Sequence, residues 1–347
     1  MNKAVISVLC SILLLSGCEQ TDEAVINPAT QAAIEEAQQA AKEAAKPKPP
    51  EFKFAKEDIN DPSIYKTPRI QFLWKPPTSK KAIREVWSSD LTGGDLRQVA
   101  SNNELGGGEQ GQIGPFGATI SRSPNNRYLA YTWLVPAKSR YYRCIWDLKK
   151  RKRVVIEDGV GIPSFNWSQD SRFLHYLNAQ TVKRYDLKTS EIKEHSHKFG
   201  SPFYLFDSGK KVFSASGKEF MISDFESGEV VKKWQWSEKI NHDEVYVNTN
   251  QSRYIYTTYG DYYKRGVFSF SEPKSSLYTY SAQKKSFIGP DNKLYLLSYQ
   301  AEGGSSEKSS FYLQSIDLKT KKITRLKNFP RGGSLFKSFS VYNKSFR

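Results

Sequence analysis

Two histidines, His195 and His197, stand two residues apart, the spacing that places both imidazoles on one side of a β-strand and within reach of one metal ion. No third ligand accompanies them, so the pair reads as a strand end exposing two rings, and no metal is assigned. His175 sits inside an apolar run and reads as packed. His242-Asp243-Glu244 has group types suited to acid–base work but the setting of a polar loop. The chain has four histidines in all, no Gly-x-Ser-x-Gly nucleophile turn, no phosphate-cradling glycine loop and no Cys-x-x-Cys pair. It therefore reads as better suited to binding than to catalysis, with no catalytic residue and no cofactor assigned. Catalysis stays open only through groups gathered from distant segments.

Of the cysteines Cys10, Cys18 and Cys144, the second has the most telling surroundings. Met1-Asn2-Lys3 gives a basic tip, and Ala4 to Leu15 is almost wholly apolar, the pattern of a secretory signal over residues 1–17. The apolar run is shorter than the roughly 20 residues a spanning helix needs. Leu15-Ser16-Gly17-Cys18 resembles the lipobox of bacterial lipoproteins. The resemblance implies cleavage before Cys18 and acylation of its thiol and new amine, which would moor the chain to a membrane. Glu19 stands where an Asp would imply retention at the inner membrane, so the expected address is the outer membrane, facing the periplasm. With Cys10 removed and Cys18 acylated, Cys144 has no disulfide partner and is expected to lie buried on a strand.

The sequence carries 52 Lys and Arg against 36 Asp and Glu, a net charge of +16. Lys3, three further bases and six acids precede residue 51, leaving 48 basic and 30 acidic residues, or +18, for the body. Such a field attracts anions. In an envelope these are lipid headgroups, lipopolysaccharide, acidic glycans and acidic protein faces. Nucleic acid is not expected as a partner of a secreted, tethered chain.

Residues 18–64 read as a tether. Asn27-Pro28 starts a helix that "ATQAAIEEAQQAAKEAAK" continues with strong helix formers and no apolar stripe beyond Ala. Pro47-Lys48-Pro49-Pro50 ends it. From residue 65 to 347 the pattern is all-β, with short runs of Tyr, Phe, Trp, Val and Ile broken by Ser, Asn, Asp and Gly. Two units recur. One is a polar turn, a base and an apolar strand, as in "SPNNRYLAYTW", "SQDSRFLHYL" and "PDNKLYLLS". Its bases Arg127, Arg172, Lys211, Arg253 and Lys293 are spaced 45, 39, 42 and 40 residues apart. The other is a strand ending at Asp, a tight turn and a further strand, marked by Asp90, Asp147, Asp186, Asp224 and Asp317. A degenerate copy is expected near Ser269–Lys274, where the spacing doubles.

A four-stranded repeat of about 40 residues marks a β-propeller. The Ser123-Pro124-Asn125-Asn126-Arg127 unit resembles the repeat of TolB-type propellers, and the Asp-Leu-Lys-Thr unit is similar to that of the BamB propeller lipoproteins. Counting second strands gives six blades, with seven possible. Arg69–Trp74 reads as a second strand lacking a first, and Ser338–Phe346 as a first strand lacking a second. The two chain ends are therefore expected to share one blade and close the ring.

In such a blade the two repeated turns lie on one face, and the second-to-third loops and blade-to-blade links lie on the other. Long connections are expected there at Lys75–Ile83, Ala100–Gly117, Leu134–Tyr142, Tyr259–Gly266 and Gln300–Ser310. Tyr141, Tyr142 and Arg143, with Tyr259, Tyr262, Tyr263, Lys264 and Arg265, are the candidate partner-binding residues, because aromatics and Arg are enriched in interface hot spots. On the opposite face Lys149–Arg153 ("KKRKR") forms a basic turn. The leading expectation is a lipid-anchored adaptor or scaffold that binds an envelope protein. The alternatives are a binder of acidic glycan or lipopolysaccharide, and an enzyme with a site on the propeller axis.

Overall fold

Short aromatic and β-branched runs, each closed by an Asp-headed or Asn-rich turn, become antiparallel strands in a computed structural model of the chain. The described residues run from 54 to 342 apart from 77–84, 107–111, 114–119, 136–137, 160–164, 179–180, 201–202, 208, 217, 236–239, 248–252, 259–263, 272–275, 282–284, 290, 303–304 and 329–333. To these are added Ala32, Glu35, Glu36, Gln38 and Gln39, all helical and exposed. The chain divides into two units, Met1–Glu51 and Phe52–Arg347. Among the described residues no helix is long and apolar enough to cross a membrane.

The second unit is a six-bladed β-propeller. Blade 1 holds β1 (Ala55–Lys56), β2 (Arg69–Lys75), β3 (Glu85–Asp90) and β4 (Arg97–Ala100). Blade 2 holds β5 (Gln112–Ile113), β6 (Ser121–Arg122), β7 (Tyr128–Val135), β8 (Arg140–Asp147) and β9 (Lys152–Gly159). Blade 3 follows with β10 (Phe165–Trp167), β11 (Phe173–Asn178), β12 (Thr181–Asp186) and β13 (Ile192–Lys198). Blade 4 is built from β14 (Phe203–Phe206), β15 (Lys211–Ser216), β16 (Glu219–Asp224) and β17 (Val230–Gln235). Blade 5 comprises β18 (Ile240–Val247), β19 (Arg253–Thr258), β20 (Lys264–Ser269) and β21 (Ser276–Ser281). Blade 6 comprises β22 (Lys285–Ile288), β23 (Lys293–Glu302), β24 (Ser305–Asp317) and β25 (Ile323–Asn328). The last strand, β26 (Ser334–Tyr342), returns to pair antiparallel with β2, so both chain ends contribute to blade 1 as the sequence implies.

One blade cannot bury both faces of its sheet, and the seams show how the ring solves this. Leu73, Val86 and Val99 of blade 1 pack on Leu129, Tyr131 and Trp146 of blade 2. Comparable clusters join blades 2 and 3, 3 and 4, 4 and 5, and 5 and 6. Blade 6 meets blade 1 through Phe287, Tyr295 and Leu297 against Ile70, Trp74 and Trp87, closing the circle. Each side chain of Leu or Phe size buried this way contributes about 1.5–3 kcal/mol.

The repeated turns also explain themselves. Asp147 and Asp186 end their strands opposite Tyr128 and Phe173, where Arg127 and Arg172 reach them at 2.7 and 2.6 Å. The same carboxylates accept turn amides, from Lys149 at 3.0 Å and from Lys188 at 2.8 Å. In blade 5 the register places Ser269 opposite Arg253, and the Ser269 hydroxyl accepts the Ser271 amide in place of the carboxylate. That is the degenerate copy expected from the spacing. In the other turn the residue before the base is left-handed: Asn126 (φ 62), Ser171 (φ 61), Gly209 (φ 85, one residue further ahead) and Asn292 (φ 60).

Residues 55–65, on the tether side of the composition shift, pack on blade 1. β1 pairs parallel with β4, and Asp61 caps a short 3-10 turn over Pro62–Tyr65. Between them Glu57 turns inward, its side chain 2% exposed, beside Arg69 and Arg122, each at 1%. Glu57 Oε1 meets Arg122 Nη2 at 2.7 Å and accepts the Tyr65 hydroxyl at 2.8 Å. Ser88 donates to Oε2, and Arg69 lies 3.9 Å away, itself paired with Asp95 at 2.7 Å. Removing one member of a buried ion group leaves the others charged and unpaired, which costs about 3–5 kcal/mol. Glu57→Gln is therefore expected to lower unfolding free energy by about 3 kcal/mol in a denaturant titration. Arg140→Ala, which breaks an exposed pair with Asp158, should cost under about 1 kcal/mol. Equal losses would refute the role given to Glu57.

Candidate functional site

In each blade the second-to-third connections lie at the end opposite the Asp turns. Several are shorter than the sequence suggests. β7 runs to Val135 and β8 begins at Arg140, so Tyr141, Tyr142 and Arg143 are strand residues. β23 and β24 likewise extend to Glu302 and from Ser305, turning the expected loop at Gln300–Ser310 into a hairpin. The reason is pairing: Trp133 with Tyr142 and Leu134 with Tyr141 continue the ladder of blade 2 outward.

Strand periodicity separates the three blade 2 candidates. Tyr142 lies against Trp133, ring centroids 5.4 Å apart, and packs towards the seam with blade 1. Tyr141 and Arg143 share the other face. Tyr141 is half-buried, whereas Arg143 is 1% exposed and turns into the seam with blade 3. Its Nη2 donates to Asn178 Oδ1 at 3.2 Å and Leu177 O at 3.4 Å, and burial holds its pKa below the ordinary guanidinium value. Asn178 donates in turn to Glu157 at 2.9 Å, whose other oxygen takes Lys183 Nζ at 2.8 Å. Gly159 makes room for this, since a Cβ there would lie 2.0 Å from Arg143 Nη1. In blade 5, Lys264 and Arg265 open β20 and pair with Ser281 and Tyr280. Tyr259, Tyr262, Tyr263 and Cys18 lie outside the described residues.

Three of the four histidines gather at the seam of blades 3 and 4, while His242 lies on β18 of blade 5, where pairing with β19 draws the expected polar loop at His242-Asp243-Glu244 into a strand. His195 and His197 share one side of β13, as their spacing requires, with His195 stacked 4.2 Å from Phe225. His175 meets the same ring edge-on at 5.5 Å and is buried. Burial, and then the nearby Arg184 charge, push its pKa down to about 4. Among the described residues no group of three His, Cys, Asp or Glu could hold a metal. Cys144 is buried on β8, its thiol pushed up to about 12 by burial. In the basic turn, Arg151 pairs with Glu104, and Arg153 lies over Trp133, 4.1 Å from the ring centre. A cleft of about 420 Å³ opens between the first turns of blades 2 and 3, lined by Asn125, Gln169, Asp170 and Ser171. Its Asp170 carboxylate is already engaged by Ser168 and the Arg172 amide. Among the described residues the cleft offers amides, hydroxyls and an already engaged carboxylate.

No family model matches the sequence, and no curated protein matches it. Among solved structures, TolB from Acinetobacter baumannii superposes with a TM-score of 0.55 at 15% identity, over 78% of this chain and 66% of that chain. The chain thus spans slightly under two thirds of that TolB, and the likeness is one of fold. An oligogalacturonate lyase in complex with manganese (TM-score 0.44, 13% identity, 80% of this chain and 75% of that one) also aligns. So does a chain of the mitotic checkpoint complex (TM-score 0.42, 10% identity, 75% and 82%).

Two outcomes follow from the seams. His175 stays neutral in the fold but protonates near its ordinary 6.5 when unfolded, so its contribution is complete above that pH and lost as pH falls towards about 4. Unfolding titrations should show about 3 kcal/mol lost across this window, and His175→Gln should flatten that part of the profile. A Gly159→Ala substitution should displace Arg143 and cost about 1–3 kcal/mol, read as a lowered unfolding midpoint.

Proposed function

We propose that the protein is a lipid-anchored envelope β-propeller that binds protein partners as an adaptor or scaffold in an outer-membrane or periplasmic complex. The carrying observation is topological. The Tyr-rich stretches at Tyr141–Tyr142 and Tyr259–Tyr263 flank or form the same β-to-β connection in blades 2 and 5, between β7 and β8 and between β19 and β20. On this reading they serve one face of the ring, from blades on opposite sides of it. A closed ring holds such groups at fixed separation, so little ordering is needed when a partner docks. The lipobox at Leu15–Cys18, the Ala-rich spacer and the fold shared with a TolB support the envelope address.

A photo-crosslinking residue placed at Tyr141 or Tyr262 in the native, membrane-borne protein is expected to give one adduct of the same protein partner from both positions. The same residue at Thr189, on the Asp-turn face, should give none. Absence of adducts at both tyrosines, or equal adducts at all three, would contradict the reading. Metabolic acyl labelling that Cys18→Ser abolishes checks the anchor.

A further inference from the structure

The basic turn of blade 2 takes no part in the face just described, and its place in the fold suggests its own ligand. Lys149, Lys150 and Lys152 are exposed and, among the described residues, make no ion pair. Lys319 and Lys322, in the corresponding turn of blade 6, are also exposed and unpaired among the described residues. Arg151 and Lys321 are tied down by Glu104 and by the Leu277 carbonyl, so these five lysines are the available charges. Blades 2 and 6 are the two neighbours of blade 1 in the ring.

Each basic turn runs straight into exposed aliphatics. Val154 and Val155 (45% exposed) follow Lys152 and Arg153, and Ile323 (56% exposed) follows Lys322. Acids do not balance the two turns. Asp147 is paired with Arg127, and Asp317 is occupied by its own turn amides, while Glu226 and Glu229 sit in the turn of blade 4. On blade 1 itself, Asp61 lies near Lys66 and Arg97, Arg97 is also paired with Asp95 at 2.8 Å, and Asp90 is occupied by the Thr92 and Gly94 amides, so blade 1 adds no net positive charge to this face.

The first described strand of the propeller begins on this same face. β1 runs parallel to β4 with Ala55 opposite Arg97, the first residue after the Asp90 turn. Phe54, 41% exposed against the edge of Trp87, is therefore at the Asp-turn end of blade 1.

We propose that the Asp-turn face of blades 2 and 6, with Phe54 between them, rests on an anionic bilayer surface. The five lysines meet phosphate headgroups, and the flanking Val154, Val155 and Ile323 enter the interface. Lysine near an anionic surface and apolar side chains at its boundary are the two recognised contributions to such binding. This reading rests on the envelope address proposed above. It leaves the Tyr-bearing connections pointing away from the membrane, towards a partner.

The test uses the full chain carrying Cys18→Ser, which cannot be acylated, with vesicles of phosphatidylcholine alone and of phosphatidylcholine mixed with phosphatidylglycerol. The N-terminus, with Lys3, is the same in the parent and in every Lys→Glu variant, so the comparison among them cancels its contribution. Partition is expected to be at least about tenfold stronger on the anionic vesicles and to collapse as salt is raised. Lys149→Glu/Lys150→Glu/Lys152→Glu should abolish the difference. Lys138→Glu/Lys198→Glu, on the opposite face, should retain most of it, with both variants matching the parent's thermal midpoint. Equal partition on the two vesicles, equal loss in both variants, or binding to a soluble phosphorylated glycan with no preference for the anionic bilayer would overturn the proposal. Acylation is read separately from the intact mass of the native protein, so failure of the anchor and failure of this surface are distinguishable.

Discussion

A wheel of sheets has one structural weakness, the blade where the polypeptide begins and ends. Here that blade takes β26 from the C-terminal end on its inner side and β1 from the N-terminal side on its outer edge. Without both, the Trp74–Trp87 pair and the apolar clusters on either side of blade 1 would meet water. Glu57 adds a second lock. It is drawn from water by two arginines belonging to blades 1 and 2, and its remaining oxygen capacity is filled by Tyr65 and Ser88. The Coulombic gain of such a group barely exceeds its desolvation cost, so its main effect is to fix one arrangement and penalise every other.

The surface ion pairs work differently. Arg127–Asp147 and Arg172–Asp186 are partly exposed and contribute little free energy each. What they do is mark register. An Asp that closes its own turn and meets the base opposite allows one strand alignment, and a slip by one residue would move aromatic side chains from seam to solvent. Their repetition gives the ring a polar, short-turned face and leaves the other face to the remaining connections.

Much of this architecture was legible in the amino-acid order because turn chemistry is local. Asp90, Asp147, Asp186, Asp224 and Asp317 announced five blades, and the doubled gap located the sixth, where Ser269 does the work of the missing carboxylate. The shared closing blade was readable from Arg69–Trp74 and the C-terminal strand for the same reason. Long-range features were not. Glu57 lies in an unremarkable polar stretch, and only folding brings Arg69 and Arg122 to it. Arg143 looked like a surface group beside two tyrosines, yet alternation along β8 turns it into the seam, held by Asn178. Loop lengths were overestimated because Tyr, Ser and Lys residues that look loop-like from composition still extend a ladder when partners continue opposite them, as in β23 and β24.

The two faces then divide the labour proposed for the protein: one with Tyr-bearing connections for a partner, the other with lysine-bearing turns on either side of Phe54. That division requires a rigid ring whose ends stay closed. Native-state hydrogen exchange measures this most directly. The β26 amides that bond to β2, and the Glu57 amide bonded to Gln98, should exchange only as slowly as global unfolding allows. Rapid exchange of these amides while blades 3 and 4 remain protected would show a ring that opens at blade 1 and would contradict the account.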